Sequence, residues 1–189
     1  MSQRPIHRPE TLHQHALFFA VLPPPTAALR MAQQAERLRR QYGLRAARPT
    51  ERLHVSLANV GVYHSGLPDA AVSAAIAVGS RVRALPFEVT FDRVSTFKGA
   101  DRRPLVLLCS DGFAQLTALR HALTSSLRRI DLASRPAFTP HVTLLYDRRT
   151  VPDTNLDEPI TCTVRDFMLV HSLQGLGRHE CRASWPLRG

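Results

Sequence analysis

One short pattern occurs twice in this chain and limits what it can fold into. Residues 53–57 read LHVSL and residues 140–144 read PHVTL, so a histidine is followed each time by valine, a small hydroxyl residue and leucine. Successive side chains of a β-strand point to opposite faces. Each segment therefore predicts a strand with an apolar face against a core and an imidazole beside a hydroxyl on the other face.

The surroundings of the two motifs are also alike. Each follows a helix-like stretch, with apolar residues at helical spacing over residues 26–42 and again over residues 116–130, and then a short polar linker. The histidines His54 and His141 are 87 residues apart. This arrangement predicts an internal duplication with approximate twofold symmetry, in which the motif strands meet and present His54, Ser56, His141 and Thr143 to one cleft.

The rest of the chain predicts further strands and one more helix. Apolar or alternating runs at residues 16–22, 86–94, 105–109, 165–171 and 180–185 favour strands, residues 69–82 favour a helix, and residues 95–103 favour a loop. No Ser/Gly-rich linker separates the two halves. We therefore predict a flexible N-terminal tail over residues 1–14 and a single domain over residues 15–189.

Composition excludes several classes of protein. With 44% hydrophobic and 21% charged residues the chain is globular rather than disordered. Its three cysteines form no C-x-x-C pair, which argues against a disulfide framework or a zinc ribbon. The sequence around Lys98 lacks the frame of a phosphate-binding P-loop. The apolar run at residues 16–22 is too short to cross a membrane. We expect a cytoplasmic monomer that does not contact a membrane.

The charge is strongly basic. The chain carries 25 Lys and Arg residues against 15 Asp and Glu, a net charge of +10, and Lys98 is its single lysine. Guanidinium groups pair with phosphate through two parallel hydrogen bonds and stack on bases, so the bias suits an anionic partner such as RNA. A solvated surface encoded by a GC-rich genome explains it equally well. Charge alone therefore selects no function.

Two histidines and two hydroxyls in one cleft suit phosphodiester chemistry. Such a displacement needs a base to activate the attacking oxygen and an acid to protonate the leaving one, and a ring with a pKa near 6.5 can serve as either. Ser56 and Thr143 would donate hydrogen bonds to the non-bridging phosphate oxygens. This chemistry requires no metal, and no cluster with metal-ligand spacing occurs among the other histidines. We expect no metal and no cofactor.

These residues resemble the two-histidine (2H) phosphoesterase superfamily, whose signature is a pair of H-x-T/S-x motifs. The most similar branch is the bacterial RNA 2′,3′-cyclic phosphodiesterases, also called 2′-5′ RNA ligases. The similarity extends to FFAVLPPP, PFEVTFDRVSTF, PLVLLC, FTPHVTLLYD and MLVHSLQG. It implies an α+β fold with two pseudo-symmetric lobes, each an antiparallel sheet with outer helices, around a central cleft.

The resemblance also implies an activity. It implies hydrolysis of RNA 2′,3′-cyclic phosphate ends to 2′-phosphates, with possible reversible 2′-5′ RNA ligation through the same histidine pair. By carry-over, His54 would be the acid toward the 3′-oxygen and His141 the base toward water, with the order of roles open. The alternatives are a sibling activity on small cyclic nucleotides or 2′,5′-oligonucleotides, and an RNA-end-binding protein with little turnover.

The sequence departs from this family after the second motif. Where family members often carry a cation, this chain has Tyr146, and Arg148 follows only later. Either Tyr146 donates a hydrogen bond to the phosphate or an arginine from elsewhere completes the site. Further candidates for substrate binding are Tyr63 and Phe97, whose rings could stack on a base or simply anchor loops. Two carboxylates, Asp92 and Asp147, are candidates for orienting a histidine.

Overall fold

The computed structural model describes residues 14–99, 101–130 and 138–188. Over these residues the chain forms eight β-strands and three α-helices. The strands are β1 (His15–Val21), β2 (Val55–Tyr63), β3 (Phe87–Thr96), β4 (Arg103–Asp111), β5 (His141–Asp147), β6 (Thr154–Val164), β7 (Asp166–Leu173) and β8 (Arg178–Pro186). The helices are α1 (Pro25–Tyr42), α2 (Asp69–Gly79) and α3 (Phe113–Arg128), and a 3₁₀ turn covers Thr50–Arg52.

All eight strands belong to one antiparallel sheet in the order β6-β3-β4-β5-β2-β1-β7-β8. Four strands lie on each side of the boundary between β5 and β2, where the only register pair is Val55 with Val142. The units β1-α1-β2 and β4-α3-β5 repeat the same plan on the two sides. The predicted α+β fold with two similar lobes is confirmed, and its two motif strands are the innermost pair.

The helices tie the two halves together. Helix α1 follows β1 in one half but packs on β5 and β6 of the other, and α3 follows β4 but packs on β2. The Arg37 guanidinium donates to Asp157 of β6 at 3.1 Å, and the Arg120 guanidinium donates to the Leu57 carbonyl of β2 at 2.7 Å. Because each helix packs across the boundary, the short contact between β2 and β5 does not have to hold the halves together alone.

The core lies between the helices and one face of the sheet. Alternation in β1 puts Leu17 and Phe19 into this core and Phe18 on the opposite face. The buried stripe of α1 is Ala28, Met31, Ala35 and Leu38, with Ala27 beside it. The helical spacing in the sequence runs through Leu29, Ala32, Ala35, Leu38 and Tyr42; Ala35 and Leu38 are in the stripe, but the inclusion of Leu29 is wrong because it is 55% exposed.

Some predicted boundaries are also wrong. Strand β6, at an edge of the sheet, is missing from the sequence prediction because Pro159 and the adjacent acidic residues break the strand pattern, and an edge strand tolerates proline. Helix α2 ends at Gly79 and α3 at Arg128, before the predicted ends.

The predicted tail falls largely outside the described residues, which begin at Gln14, whose carbonyl accepts the Gln174 N–H at 2.8 Å. No helix in the described part of the chain is long and apolar enough to cross a bilayer.

Candidate active site

The two motifs meet in one cleft where the two halves of the sheet join. This cleft has a volume of about 730 Å³ and lies on the sheet face opposite the helices. Because β2 and β5 are neighbours, the alternation that buries Val55 and Val142 turns the motif side chains toward the cleft. Its lining residues are Ala16, Phe18, Arg48, Arg52, His54, Ser56, Asn59, Val62, Arg102, His141, Thr143, Tyr146, Ser172, Leu173, Gln174, Gly175 and His179.

The two motif histidines are held in the same way. His54 Nδ1 donates to the carbonyl of Arg52 at 2.9 Å, and His141 Nδ1 donates to the carbonyl of Thr139 at 2.7 Å. A carbonyl can only accept, so Nδ1 carries the proton and Nε2 of the neutral ring is left as a free base. Each imidazole is therefore fixed in the tautomer that can exchange a proton through Nε2.

Carboxylates do not make these bonds. The buried Asp147 accepts the backbone N–H of Arg45 at 2.7 Å and that of Arg149 at 2.8 Å. These N–H groups, that of Arg149 foremost, hold the pKa of Asp147 below its usual range. The hypothesis that Asp92 or Asp147 orients a histidine is wrong, because main-chain carbonyls orient both rings. Asp147 instead attaches the segment after α1 to the end of β5.

Burial in the unliganded cleft disfavours the protonated, charged form of its histidines. It lowers the pKa of His54 to about 3, with repulsion from His179 and Arg48 adding to the effect, and it also lowers the pKa of His141. Burial and the nearby guanidinium of Arg48 lower the pKa of His179 to about 4. Both motif histidines are therefore neutral in the free protein near pH 7, although an ordinary pKa near 6.5 would let one ring be charged and the other neutral at about this pH.

Aromatic rings contact both motif histidines. The Phe18 ring lies 5.2 Å from the His54 ring, and His179 approaches the same ring edge-on at 5.3 Å. The Phe97 ring contacts His141 edge-on at 4.9 Å, although Phe97 does not itself line the cleft. Sequence analysis missed His179, because no local pattern distinguishes it from the other histidines outside the motifs.

Cations enter the cleft from outside the motifs. Arg48 and Arg52, from the segment after α1, and Arg102, from the loop before β4, all line it. The guanidinium carbons of Arg48 and Arg102 lie 5.8 Å and 5.2 Å from the centre of the Tyr146 ring. The backbone N–H of Arg48 donates to the Leu144 carbonyl at 2.7 Å, which places this residue beside the second motif.

Arg52 borders the cleft from the side of the turn between β7 and β8. The turn backbone at Gly177 has a φ of +66°, and a Cβ there would lie 2.8 Å from Nη1 of Arg52. Glycine at this position thus permits both the turn and the close approach of the guanidinium.

The charge around the cleft has one sign. Three arginines and three histidines line it, and no Asp or Glu does so among the described residues. In the same part of the chain no group of three His, Cys, Asp or Glu side chains is arranged to hold a metal ion. A cleft of this kind selects anions, because a negatively charged ligand relieves the repulsion between its guanidinium groups.

Two predicted substrate-binding residues lie elsewhere. The Tyr63 ring packs against the core and folds over Gly61, where a Cβ would lie 2.5 Å from its hydroxyl. Arg148 is exposed and is absent from the lining of the cleft. Its neighbour Arg149 donates to the carbonyls of Tyr42 and Gly43 at the end of α1.

Two bulges in β2 explain why Asn59 lines the cleft. Its pairing with β1 shifts register on either side of residues 58–59, so Leu57 and Ala58 are both buried and Asn59 turns to the cleft face.

The fold and the paired histidines define a two-histidine phosphoesterase. The model of the 2′-5′ RNA ligase superfamily matches residues 23–175, and the chain belongs to this superfamily. Among solved structures, E. coli LigT complexed with 3′-AMP is 22% identical with a TM-score of 0.74, covering 93% of this chain and 99% of LigT.

TT0787 of Thermus thermophilus is 21% identical with a TM-score of 0.74, covering 92% of this chain and 98% of TT0787. Usb1 of Kluyveromyces marxianus is 9% identical with a TM-score of 0.52, covering 92% of this chain and 98% of Usb1. At these identities the TM-scores show a shared fold. No curated protein matches the chain.

Proposed function

We propose that this protein hydrolyses the 2′,3′-cyclic phosphate ends of RNA to 2′-phosphates. The observation that supports this most is the pair of matched histidines, each with Nδ1 bonded to a carbonyl and Nε2 available in a common cleft. Two such rings can act on opposite sides of one phosphorus, one taking a proton and the other giving one.

The two rings alone supply both proton transfers that the hydrolysis needs. Nε2 of one histidine takes a proton from water while the water oxygen attacks phosphorus, and the P–O3′ bond breaks. The second histidine, protonated in the complex, gives its proton to O3′, which leaves a 2′-phosphate monoester. The bound phosphate diester supplies the negative charge that raises the pKa of this second ring above its value in the free protein. With the 5′-hydroxyl of a second RNA in place of water as the attacking group, the same steps would form a 2′,5′ linkage.

The positive cleft supports a nucleotide or RNA substrate. Solved structures of E. coli LigT contain NADP⁺, ATP, 3′-AMP and phosphate, so that protein binds phosphorylated nucleotides. We extend this to the present chain because its own cleft is lined by three arginines and, among the described residues, by no carboxylate. Guanidinium groups at such a site pair with phosphate oxygens through short, charge-assisted hydrogen bonds.

The direct test uses a short RNA that ends in a 2′,3′-cyclic phosphate, incubated with the protein in EDTA. We expect conversion to the 2′-phosphate, identified by chromatography against 2′- and 3′-phosphate standards. A 3′-phosphate product would contradict the proposed bond cleavage. Binding without conversion would favour the RNA-end-binding alternative, and conversion of small cyclic nucleotides or 2′,5′-oligonucleotides alone would favour the sibling activity.

The motif hydroxyls should contribute less than the histidines. Ser56→Ala and Thr143→Val each remove one hydrogen-bond donor to a phosphate oxygen and leave the apolar face of the strand intact. We expect each to lower kcat by about 10 to 100-fold, since one donor to a developing charge is worth a few kcal/mol at most. Thr143→Ser keeps the donor and should retain most of the activity, and an equal loss in Thr143→Ser would exclude the hydroxyl as the cause.

The lowered histidine pKa values predict different pH profiles for kcat/KM and kcat. The acid form of one ring is needed, and in the free protein this form is lost as pH rises through a pKa below the ordinary 6.5. We therefore expect kcat/KM to fall with rising pH already in the acidic range. The kcat profile should fall at higher pH, because the bound phosphate raises the pKa of the acid.

These profiles are measured from about pH 4 to about pH 9 at constant ionic strength. Coincident alkaline limbs for kcat and kcat/KM would contradict the proposed effect of the bound phosphate.

A further inference from the structure

The side chains of Arg48, Tyr146 and Arg102 form a stack at one end of the cleft. Both guanidinium groups lie over the same ring, at 5.8 Å and 5.2 Å from its centre. We propose that the Arg102 end of this stack is a second anion subsite, which binds a phosphate group of the substrate other than the cyclic phosphate, whereas Arg48 at the other end faces the cyclic phosphate. The inference rests on the proposed function and specifies its substrate class as a ribonucleotide carrying two phosphates, such as an RNA end.

These arginines lack acidic partners. The ion pairs among the described residues use Arg30, Arg37, Arg39, Arg40 and Arg178, and neither Arg48 nor Arg102 takes part in one. Nε of Arg48 is buried with no hydrogen-bond partner in the described structure, as is Nε of Arg52. Burying a guanidinium N–H without an acceptor costs free energy, and a bound anion that accepts its hydrogen bond removes this cost.

The subsite is held in place before any ligand binds. The backbone N–H of Arg48 donates to the Leu144 carbonyl at 2.7 Å, and its guanidinium lies 3.4 Å from the Arg52 carbonyl. Tyr146 is on β5, three residues after the motif threonine, so its ring lies on a rigid strand next to the proposed reaction centre. Stacking on this ring holds two like charges together, and little side-chain entropy remains to be lost on binding.

Within the cleft, Arg48 and Arg102 have different neighbours. Arg48 is bonded through its backbone N–H to Leu144, next to the motif threonine, whereas Arg102 precedes Arg103, which pairs with Asp147 at the end of β5 far from His141. Arg48 therefore faces the cyclic phosphate, and Arg102 lies farther from it along the cleft. A nucleoside cyclic phosphate with no 5′-phosphate would fill the histidine site and leave the Arg102 end unpaired.

The test compares adenosine 2′,3′-cyclic phosphate with its 5′-phosphorylated counterpart, which differs only in the second phosphate. We expect kcat/KM to be about 10 to 100-fold higher for the 5′-phosphorylated substrate, as one charge-assisted contact provides. Arg102→Gln should reduce this ratio to near 1. The matched control is Arg165→Gln, an exposed arginine outside the cleft, which should keep the wild-type ratio.

Tyr146 variants separate the ring from the hydroxyl. Tyr146→Phe keeps the surface on which the guanidinium groups stack and should retain the substrate ratio, whereas Tyr146→Leu should lower it. A loss in Tyr146→Phe equal to that in Tyr146→Leu would show that the hydroxyl binds the phosphate, and would overturn the stacking role of the ring.

The outcomes distinguish this inference from the proposed function. Hydrolysis of both substrates with a ratio near 1 would overturn the second subsite and leave the function intact, as would a high ratio unchanged in Arg102→Gln. Hydrolysis of neither nucleotide, together with no conversion of an RNA that ends in a 2′,3′-cyclic phosphate, would end the proposed function. Calorimetry then decides the subsite alone: adenosine 2′,5′-bisphosphate should bind about 10 to 100-fold tighter than adenosine 2′-phosphate, and equal affinities would overturn it.

Discussion

Replacing His54 or His141 with alanine is expected to lower kcat/KM for a cyclic phosphate substrate by about 10²- to 10⁴-fold, the usual contribution of a positioned acid or base. Each imidazole is fixed by a carbonyl and offers one nitrogen, Nε2, to the cleft, and alanine removes this nitrogen. The two losses should not add in the double variant, because the rings act on one transition state. Single-turnover kinetics with circular dichroism as a check on folding measures this.

The matched control is His64→Ala, which removes an exposed histidine outside the cleft and should leave the rate unchanged. The result that contradicts the mechanism is a folded His54→Ala or His141→Ala protein with near wild-type kcat/KM. Because both rings are half-buried rather than deep in the core, loss of folding is not the expected cause of inactivity.

A phosphate diester with an aryl leaving group would show which histidine is the acid and which is the base. A phenolate with a low pKa leaves without a proton, so loss of the acid should matter little for such a substrate and loss of the base should matter as before. The resemblance to the family gives His54 the role of acid. In this chain His179 and Arg48 oppose protonation of His54, which disfavours the role of acid for this ring. The assay shows which of the two histidines is the acid.

Replacing Arg48 with glutamine is expected to lower kcat/KM by about 10²-fold for substrates with or without a second phosphate. Its guanidinium is half-buried, has an unpartnered Nε, lies over the Tyr146 ring and lines the same cleft as both motif histidines. We therefore expect Arg48 to be the arginine from outside the motifs that binds the phosphate. Arg48→Lys keeps the charge but not the two-pronged geometry, and should recover part of the loss.

A second readout does not depend on turnover. Because the charge of Arg48 opposes protonation of His54, Arg48→Gln should raise the pKa of His54, followed by NMR titration of the ring protons in the free protein. Arg165→Gln should leave this titration unchanged. Wild-type activity together with an unshifted titration in Arg48→Gln would place Arg48 outside the site.

Local patterns determined much of this protein. Alternation around residues 53–57 and 140–144 identified the two motif strands and the cleft face, since strand periodicity depends only on neighbouring residues. Helical spacing identified α1 and α3, although the buried stripe of α1 begins at Ala28 and not at Leu29. Alternation by itself did not place Tyr63, because two bulges interrupt β2 between Val55 and Tyr63, and only the folded strand shows its ring on the core side.

Other features depend on contacts between distant parts of the chain. Arg48 lies beside the second motif because its N–H bonds to Leu144, and Arg102 reaches the same ring from another loop. His179 meets His54 only because β8 and β1 both flank β7. The low pKa values of the histidines follow from burial, which exists only in the folded protein.

The sequence by itself determined the two motif histidines, their hydroxyl neighbours and the two-lobed fold, because these depend on repeated patterns of adjacent residues. Tertiary structure alone decided which cations, which aromatic ring and which protonation states accompany them. The physical reason is that a guanidinium acts through space: its effect on a phosphate or an imidazole depends on distance and burial, and sequence separation records neither.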